Sequence, residues 1–330
     1  MKRKYCVLVI FVLIVIKVLT DKVYAQEFSL GIYPPIIQAT TLPPTVIKPK
    51  ITISNKTDSE LNLAIRLKPF RPTGKGDGSI TYPNSTSLPE YLIFPLTKIF
   101  DGENSINTIT LGPKETKDLN IQIDINRDTP LADYYFSVLF ISDSEEKKES
   151  PNIQIPAGIA TNVILTVGQN RSKDIKIESF KSPRIVSSGP VPFTVLLKNS
   201  GQHLITPSAK IEIKNMFGKS VGTIPLLPEY ILSSSTRYLV EEAYASRSAD
   251  IIAKLNKSGG QNVSLYNKNF MFGKYEAKVS GFLMEDSTIT FSKNLVFYAL
   301  PIPYIIALVL ILVILIIIIS RVKKIKNKNQ

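Results

Sequence analysis

The sequence predicts an all-β protein, two tandem immunoglobulin-like β-sandwiches plus one C-terminal transmembrane α-helix, and three observations predict it. Short segments alternate apolar and polar residues with period two, the period of a strand with one buried face. The two halves of the intervening region carry matching landmarks about 140 residues apart, the mark of a repeated module. Near the end, Leu300 to Ser320 is apolar throughout and is followed at once by Arg321, Lys323, Lys324, Lys326 and Lys328. The layout that follows is a signal peptide at 1–25, a first sandwich at 26–168, a second at 169–298, a membrane-spanning helix at 299–320 and a basic cytoplasmic tail at 321–330.

At the start, Lys2, Arg3 and Lys4 form a positive n-region, Tyr5 to Ile16 an apolar h-region, and Val23-Tyr24-Ala25 a small-residue cleavage site. Cleavage there makes Gln26 the first mature residue. Lys17 interrupts the apolar run and shortens it below a comfortable span, although an uncleaved anchor is the other reading. The only cysteine, Cys6, falls inside this leader. The mature chain therefore has no thiol for a disulfide framework, a zinc–thiolate site or a cysteine nucleophile. An ectodomain of this size without disulfides leans towards a prokaryotic surface protein. The Asn-x-Ser/Thr sequences at Asn55, Asn84, Asn170, Asn256 and Asn262 then read as chance in a chain rich in Asn, Ser and Thr.

In the first module, Leu61–Lys68 and Leu119–Ile125 show the alternation most clearly, with shorter runs at Ile47–Ser54, Thr108–Leu111, Tyr134–Ile141 and Val163–Val167. Tyr134–Ile141 is apolar on both faces apart from Ser137, as a central strand covered on each side requires. Turn formers separate the runs, among them Pro72-Thr-Gly-Lys-Gly-Asp-Gly78 and Asp101-Gly102. The second module offers Ile175–Phe180, Phe193–Leu197, Ala209–Ile213, Tyr275–Val279 and Thr288–Phe291, with Ser235–Leu255 as a short helical insertion.

The repeat pairs Ile51-Thr-Ile-Ser-Asn55 with Val195-Leu-Leu-Lys-Asn199, each a strand ending in Asn before a polar turn. It also pairs Tyr134 with Tyr275. A Tyr opening the penultimate strand of such a sandwich can pin the crossover by bonding its hydroxyl to backbone upstream, so Tyr134 and Tyr275 are candidate tyrosine corners. The other reading of each is an ordinary half-buried strand residue.

The run at Leu300–Ser320 gives a helix of roughly 31 Å at about 1.5 Å per residue, matching the roughly 30 Å hydrocarbon core of a bilayer. Pro301 and Pro303 fall in its first turn, where a missing N–H costs least. Tyr298 and Tyr304 stand at the interfacial level, and the five basic residues that follow keep the C-terminus cytoplasmic. The expected localisation is the cell membrane, single-pass, with the ectodomain extracellular.

Of the formal charge of +13, +4 lies in residues 1–25 and +5 in the tail, leaving +4 for the ectodomain. With no Lys/Arg run interleaved with aromatics there, nucleic acid is excluded as a partner.

Signatures of catalysis are absent, and the chain reads as a non-enzyme without cofactor. Gly74-Lys-Gly-Asp-Gly78 lacks the spacing and terminal Lys-Ser/Thr of a phosphate loop and reads as a mobile hairpin tip. Ser144-Glu-Glu-Lys147 has Ser-x-x-Lys spacing without its companion motifs and reads as a solvated turn. His203, the sole histidine, follows a strand with no Gly-x-Ser-x-Gly elbow in the chain and reads as an exposed loop residue. Neither Asp101-Gly-Glu-Asn104 nor the acidic stretch near Asp143 fits a calcium loop. The segment from Tyr82 to Phe100 is a long proline-punctuated excursion in which Tyr91, Phe94 and Phe100 either form a binding loop for glycan rings or a partner, or cap the open end of the sandwich.

Residues 28–167 resemble the N-terminal region of WxL-interacting proteins, surface proteins of Gram-positive bacteria. The matching features are Phe28-Ser-Leu-Gly-Ile-Tyr-Pro-Pro35, the strand ending in Asn55, and Ile109-Thr-Leu-Gly-Pro-Lys-Glu-Thr116 leading into Leu119–Ile125. The order of signal peptide, two immunoglobulin-like domains, one helix and a basic tail matches as well. The chain departs from that pattern after Pro130, where Leu131-Ala-Asp-Tyr-Tyr replaces an expected glycine-rich stretch. The resemblance implies a membrane-anchored surface protein whose first domain contacts peptidoglycan and whose second contacts a host or partner protein. Two functions are therefore expected: a binding and scaffolding protein of the cell surface, contacting peptidoglycan or a surface partner protein, and, as the alternative, a membrane-tethered, chaperone-like assembly factor for secreted subunits.

Overall fold

A computed structural model describes residues 29–142, 158–168, 172–242 and 262–326. The predicted leader at 1–25, the Ser144–Lys147 stretch, Lys328 and the side chains of Arg321, Lys323, Lys324 and Lys326 lie outside the described residues.

The first sandwich is built from β1 (Leu30–Tyr33), β2 (Ile36–Thr41), β3 (Thr45–Ile47), β4 (Lys50–Asn55), β5 (Leu61–Pro69), β6 (Arg71–Pro72), β7 (Ile80–Thr81), β8 (Thr97–Asp101), β9 (Asn104–Ile106), β10 (Thr108–Leu111), β11 (Thr116–Ile125), β12 (Asp133–Ser142) and β13 (Gly158–Val167). One sheet runs β1-β4-β11-β8-β9 with β3 also on β11; the other runs β10-β5-β12-β13-β2, and β6-β7 form a small ribbon. The alternation of β11 sets the packing: Leu119, Ile121, Ile123 and Ile125 all point inward against Leu61, Leu63, Phe136, Val138 and Phe140 of the facing sheet. Each such fully buried side chain contributes about 1.5–3 kcal/mol. β12 pairs on both sides, with β5 and β13, which is why it is apolar on both faces. The expected strand Ile47–Ser54 is two strands, because Pro49 has no N–H to donate to a ladder.

The second sandwich comprises β14 (Ile175–Lys181), β15 (Ile185–Val186), β16 (Val191–Asn199), β17 (Pro207–Asn215), β18 (Ser220–Leu226), β19 (Thr236–Leu239), β20 (Ser264–Tyr266), β21 (Gly273–Leu283) and β22 (Asp286–Ala299). Its sheets run β14-β16-β19, with β20 also on β16, and β15-β22-β21-β17-β18. Rings fill its core: Phe193 meets Phe297 edge-on at 5.8 Å, and Phe297 stacks on Tyr275 at 5.3 Å. The predicted helical insertion at Ser235–Leu255 is corrected at its start. Thr236–Leu239 is a strand laid antiparallel on β16, where Leu239 is drawn into the core. The part beyond residue 242 lies outside the described residues.

Both sandwiches divide their opening strand between two sheets. In the first, β1 pairs with β4, and after Pro34-Pro35 the chain crosses so that β2 runs parallel to β13. In the second, β14 pairs with β16 and β15 then runs parallel to β22.

The repeated Asn residues also have the same work. Asn55 is buried; its Nδ2 donates to the carbonyls of Ser59, Leu111 and Gly112, and its Oδ1 accepts the Thr57 N–H. Asn199, likewise buried, donates through Nδ2 to His203 and Ile231 and accepts the Gly201 N–H. In each case one side chain closes the turn on itself and ties it to a neighbouring loop. With its amide so engaged, Asn55 is not presented for modification.

After β22 the chain enters α1 (Ile302–Lys326), whose Ile302–Ser320 portion is long and apolar enough to cross a membrane and is not covered by either sandwich.

Candidate functional site at the sandwich junction and the last-strand edges

The two sandwiches meet through a buried polar clamp. Asp133, at the start of β12, is an acceptor for four donors. Its Oδ1 takes His203 Nδ1 at 2.8 Å and the Thr166 hydroxyl at 2.9 Å, and its Oδ2 takes the Tyr135 hydroxyl and the Leu204 N–H, each at 2.8 Å. Two of those donors belong to the second sandwich. His203 is thus buried and not the exposed loop residue expected from sequence. The reason is the Asn199 turn, which folds the loop back so that the imidazole faces Asp133 and not solvent.

Around the clamp, Phe70, Tyr135 and Ile164 of the first sandwich pack on Leu204 and Leu232 of the second. Tyr135 also accepts the Ser233 N–H at 3.3 Å. Burial, and next the negative charge of Asp133, push the Tyr135 phenol far above its ordinary value, so it stays a donor.

The glycine-rich tip between β6 and β7 is part of the same junction, which corrects the expectation of a mobile hairpin. Gly76 is buried and its carbonyl accepts the Tyr238 N–H at 2.7 Å. A Cβ at Gly76 would stand 3.0 Å from Leu196 and 3.1 Å from the Tyr238 ring. At Gly78, with φ +83°, it would run into the Arg237 guanidinium. The glycines are there for close approach of this tip to β16 and β19.

The Tyr82–Phe100 excursion is anchored from within. Glu90 is fully buried, its two oxygens held by Arg71 Nη1 and Nη2 at 2.8 Å each, and Oε1 accepts the Tyr135 N–H at 3.0 Å. Such a bidentate pair with a backbone donor meets the cost of burying a carboxylate. Ile93 is buried in the core, and Phe94 stands edge-on to Phe136 at 5.7 Å with Tyr91 packed on it at 5.1 Å. Phe100 stands half-buried on β8, beside Asn120 of β11. The structure therefore brings Tyr91 and Phe94 together and sets Phe100 on a separate element.

Of the two repeated tyrosines, Tyr134 is fully buried and donates its hydroxyl to the Pro130 carbonyl, four residues upstream, at 2.7 Å. Tyr275 instead accepts the Phe272 N–H at 3.4 Å and lies flat on Phe297.

Between the sandwiches lies a cleft of about 340 Å³ lined by Arg71, Pro72, Asp133, Tyr135, Gln202 and Ser233 among others. Elsewhere, the divided opening strands leave the last strands only partly paired. Among the described residues, β2 covers β13 only over Asn162–Val167, leaving Gly158–Thr161 unpaired on that side. β15 covers β22 only at Tyr298 and Ala299. Among the described residues, no strand is paired with Asp286 to Phe297 on that side, although β14 of the facing sheet comes close to it, and Lys293 is exposed there. No group of three or more His, Cys, Asp or Glu suited to a metal occurs among the described residues.

These features define a class: a protein of two immunoglobulin-like sandwiches locked by a buried clamp, with a helix long and apolar enough to cross a membrane. No protein-family model matches the chain, and no curated protein does. Among solved structures, it is similar to the class 5 fimbriae chaperone CfaA, at 10% identity with a TM-score of 0.37, covering 83% of this chain and 100% of that one. It is also similar to the E. coli chaperone DraB, at 13% identity and a TM-score of 0.31 over 82% and 96% of the two chains. A third similar structure is that of the Salmonella enterica SafA pilin in complex with the SafB chaperone, at 11% identity and 0.29 over 83% and 96%. Scores of this size carry no functional argument, and the fold rests on the strand pairing described above.

Proposed function

We propose that this chain is a membrane-anchored binding protein, displayed outside the cytoplasm with its basic end inside, that holds an extended segment of another protein against a last-strand edge. The observation that carries this reading is that, among the described residues, most of β22 has no strand paired on the side away from β21, matched on a smaller scale in β13. A row of unpaired N–H and C=O groups is a template for a further strand, and a polypeptide, unlike a glycan, can fill it register by register. Lys293 on that edge restricts which segments can pair, as charges on edge strands do.

The clamp at Asp133 supports the reading from another side. Two sandwiches already fixed to one another lose little further freedom when a partner spans them. Among the two expected functions, this favours an assembly factor that receives secreted protein segments. SafB, among the chaperones named above, is seen in complex with a pilin; here an extended polypeptide is what an unpaired strand edge fits, and the proposed placement outside the cytoplasm makes it a secreted or surface protein. The resemblance of residues 28–167 to WxL-interacting proteins supports a second reading, a peptidoglycan contact through the Tyr91–Phe94 region.

Photocrosslinking on intact cells separates them. A photoreactive residue at Thr290 on β22 is expected to capture a secreted or surface polypeptide, and one at Glu212, mid-sheet on β17, is not. Capture of glycan at Tyr91 with nothing at Thr290 would overturn the edge reading in favour of peptidoglycan.

A further inference from the structure

The end of the second sandwich from which α1 departs carries large exposed apolar side chains on separate loops. Phe217 is 84% exposed, Phe272 57% and Phe270 54%, with Met216, Ile185 and Tyr298 beside them. The strand pairing puts them at one end: Asn215 of β17 faces Tyr275 of β21, Gly273 faces Ala299, and Ile185 faces Tyr298. This is no loose loop. Asn215 Oδ1 accepts the N–H groups of both Phe217 and Lys219 at 3.1 Å, and Gly218 turns at φ +76°, so Phe217 is held out at the tip of a closed turn. Met216 lies against Gly273, where a Cβ would collide with it.

Only Leu300 and Pro301 separate β22 from α1, a link of roughly 7 Å at full stretch. The Leu300 N–H is tied to the Val186 carbonyl at 2.9 Å, and the Phe270 ring meets Tyr304 in the first turn of α1 edge-on at 5.5 Å. A helix that enters a bilayer at Ile302 therefore brings this end down to the headgroup layer. Lys219 and Lys274 lie exposed beside the aromatic tips, as anionic headgroups favour.

We infer that this end is a lipid-contacting surface, with Phe217, Phe270 and Phe272 seated in the interfacial layer of the bilayer that α1 crosses. The inference rests on the reading of α1 as a membrane span. Phe side chains bury at the headgroup–acyl boundary as apolar anchors, and an exposed apolar cluster of this kind marks an interaction site. Seating it fixes the tilt of the second sandwich on the membrane and so the direction in which the β22 edge faces.

The chain has no tryptophan, so single replacements report cleanly. The full chain is reconstituted into phosphatidylcholine vesicles containing phosphatidylglycerol, with lipids brominated near either the top or the end of the acyl chain. Phe217→Trp and Phe270→Trp are expected to emit further to the blue and to lose emission to shallow bromines. Ile311→Trp, mid-helix, is expected to lose emission to deep ones. Met284→Trp, exposed at the far end of β21, stands roughly 33 Å away and is expected to lose none. If Ile311→Trp is quenched while Phe217→Trp behaves like Met284→Trp, the seating is wrong and the span stands. A blue-shifted but unquenched Phe217→Trp would assign the patch to a protein contact instead. An unquenched Ile311→Trp removes the span and the seating together.

Discussion

Asp133 and His203, one from each sandwich, are bonded at 2.8 Å within a buried junction, and the same carboxyl also accepts from Tyr135, Thr166 and the Leu204 backbone. Four donors on one acceptor make this residue the point at which the relative placement of the sandwiches is decided. Substituting Asp133→Ala leaves those donors without that partner in a buried junction. The expected loss is about 3 kcal/mol, with the single denaturation transition of the full chain splitting into two. His203→Ala, which removes one donor, is expected to cost about 1–2 kcal/mol. Denaturant midpoints for the two variants check this; equal, near-zero shifts would remove the clamp from the account.

Tyr135 gives a pH prediction. Its phenol is pushed up by burial and by Asp133, while in the unfolded chain it ionises near pH 10. Above about pH 10 the unfolded state therefore binds fewer protons than the folded one, and stability falls as pH rises, by at most about 1.4 kcal/mol per pH unit for this group. The contribution is fully present below that pH. Tyr135→Phe is expected to flatten the fall between about pH 10 and 11, read from denaturation midpoints.

Asn55 and Asn199 close equivalent turns, so Asn55→Ala and Asn199→Ala are each expected to destabilise the chain by about 2–3 kcal/mol. Each substitution removes two or more hydrogen bonds donated to carbonyls and one accepted from an N–H. Proteolysis of partly denatured protein should open the first sandwich in one variant and the second in the other.

The repeated tyrosines should differ. Tyr134→Phe loses a 2.7 Å bond to Pro130 and is expected to cost about 1 kcal/mol. Tyr275→Phe, whose hydroxyl receives only a 3.4 Å contact, should cost under about 0.5 kcal/mol. Thermal unfolding of the pair measures the contrast.

What could be read in the sequence was what periodicity encodes. Leu61–Lys68 and Leu119–Ile125 alternate because each has one buried face, and their strands lie where the pattern puts them. β22 was legible only at Thr288–Phe291, because Ser292-Lys293-Asn294, all three exposed, breaks the apolar pattern. β1 and β2 were missed for another reason: Pro34-Pro35 divides them into pieces too short to show a period. The junction was illegible altogether. Asp133 and His203 are 70 residues apart in chain and polar, Gly76 sits in a stretch typical of free turns, and Glu90 looks like any surface acid. Only contact explains them, and no local pattern carries contact. The Asn repeat was the exception, since the same turn recurs with the same residue at its hinge.

The proposed function depends first on topology, with the sandwiches outside the cell and the basic end inside. Single-cysteine variants Glu103→Cys and Lys326→Cys, each in a Cys6→Ser background, can be treated on whole cells with a membrane-impermeant maleimide. Labelling is expected at position 103 on intact cells and at 326 only after permeabilisation. Labelling at 326 with protection at 103 would contradict it.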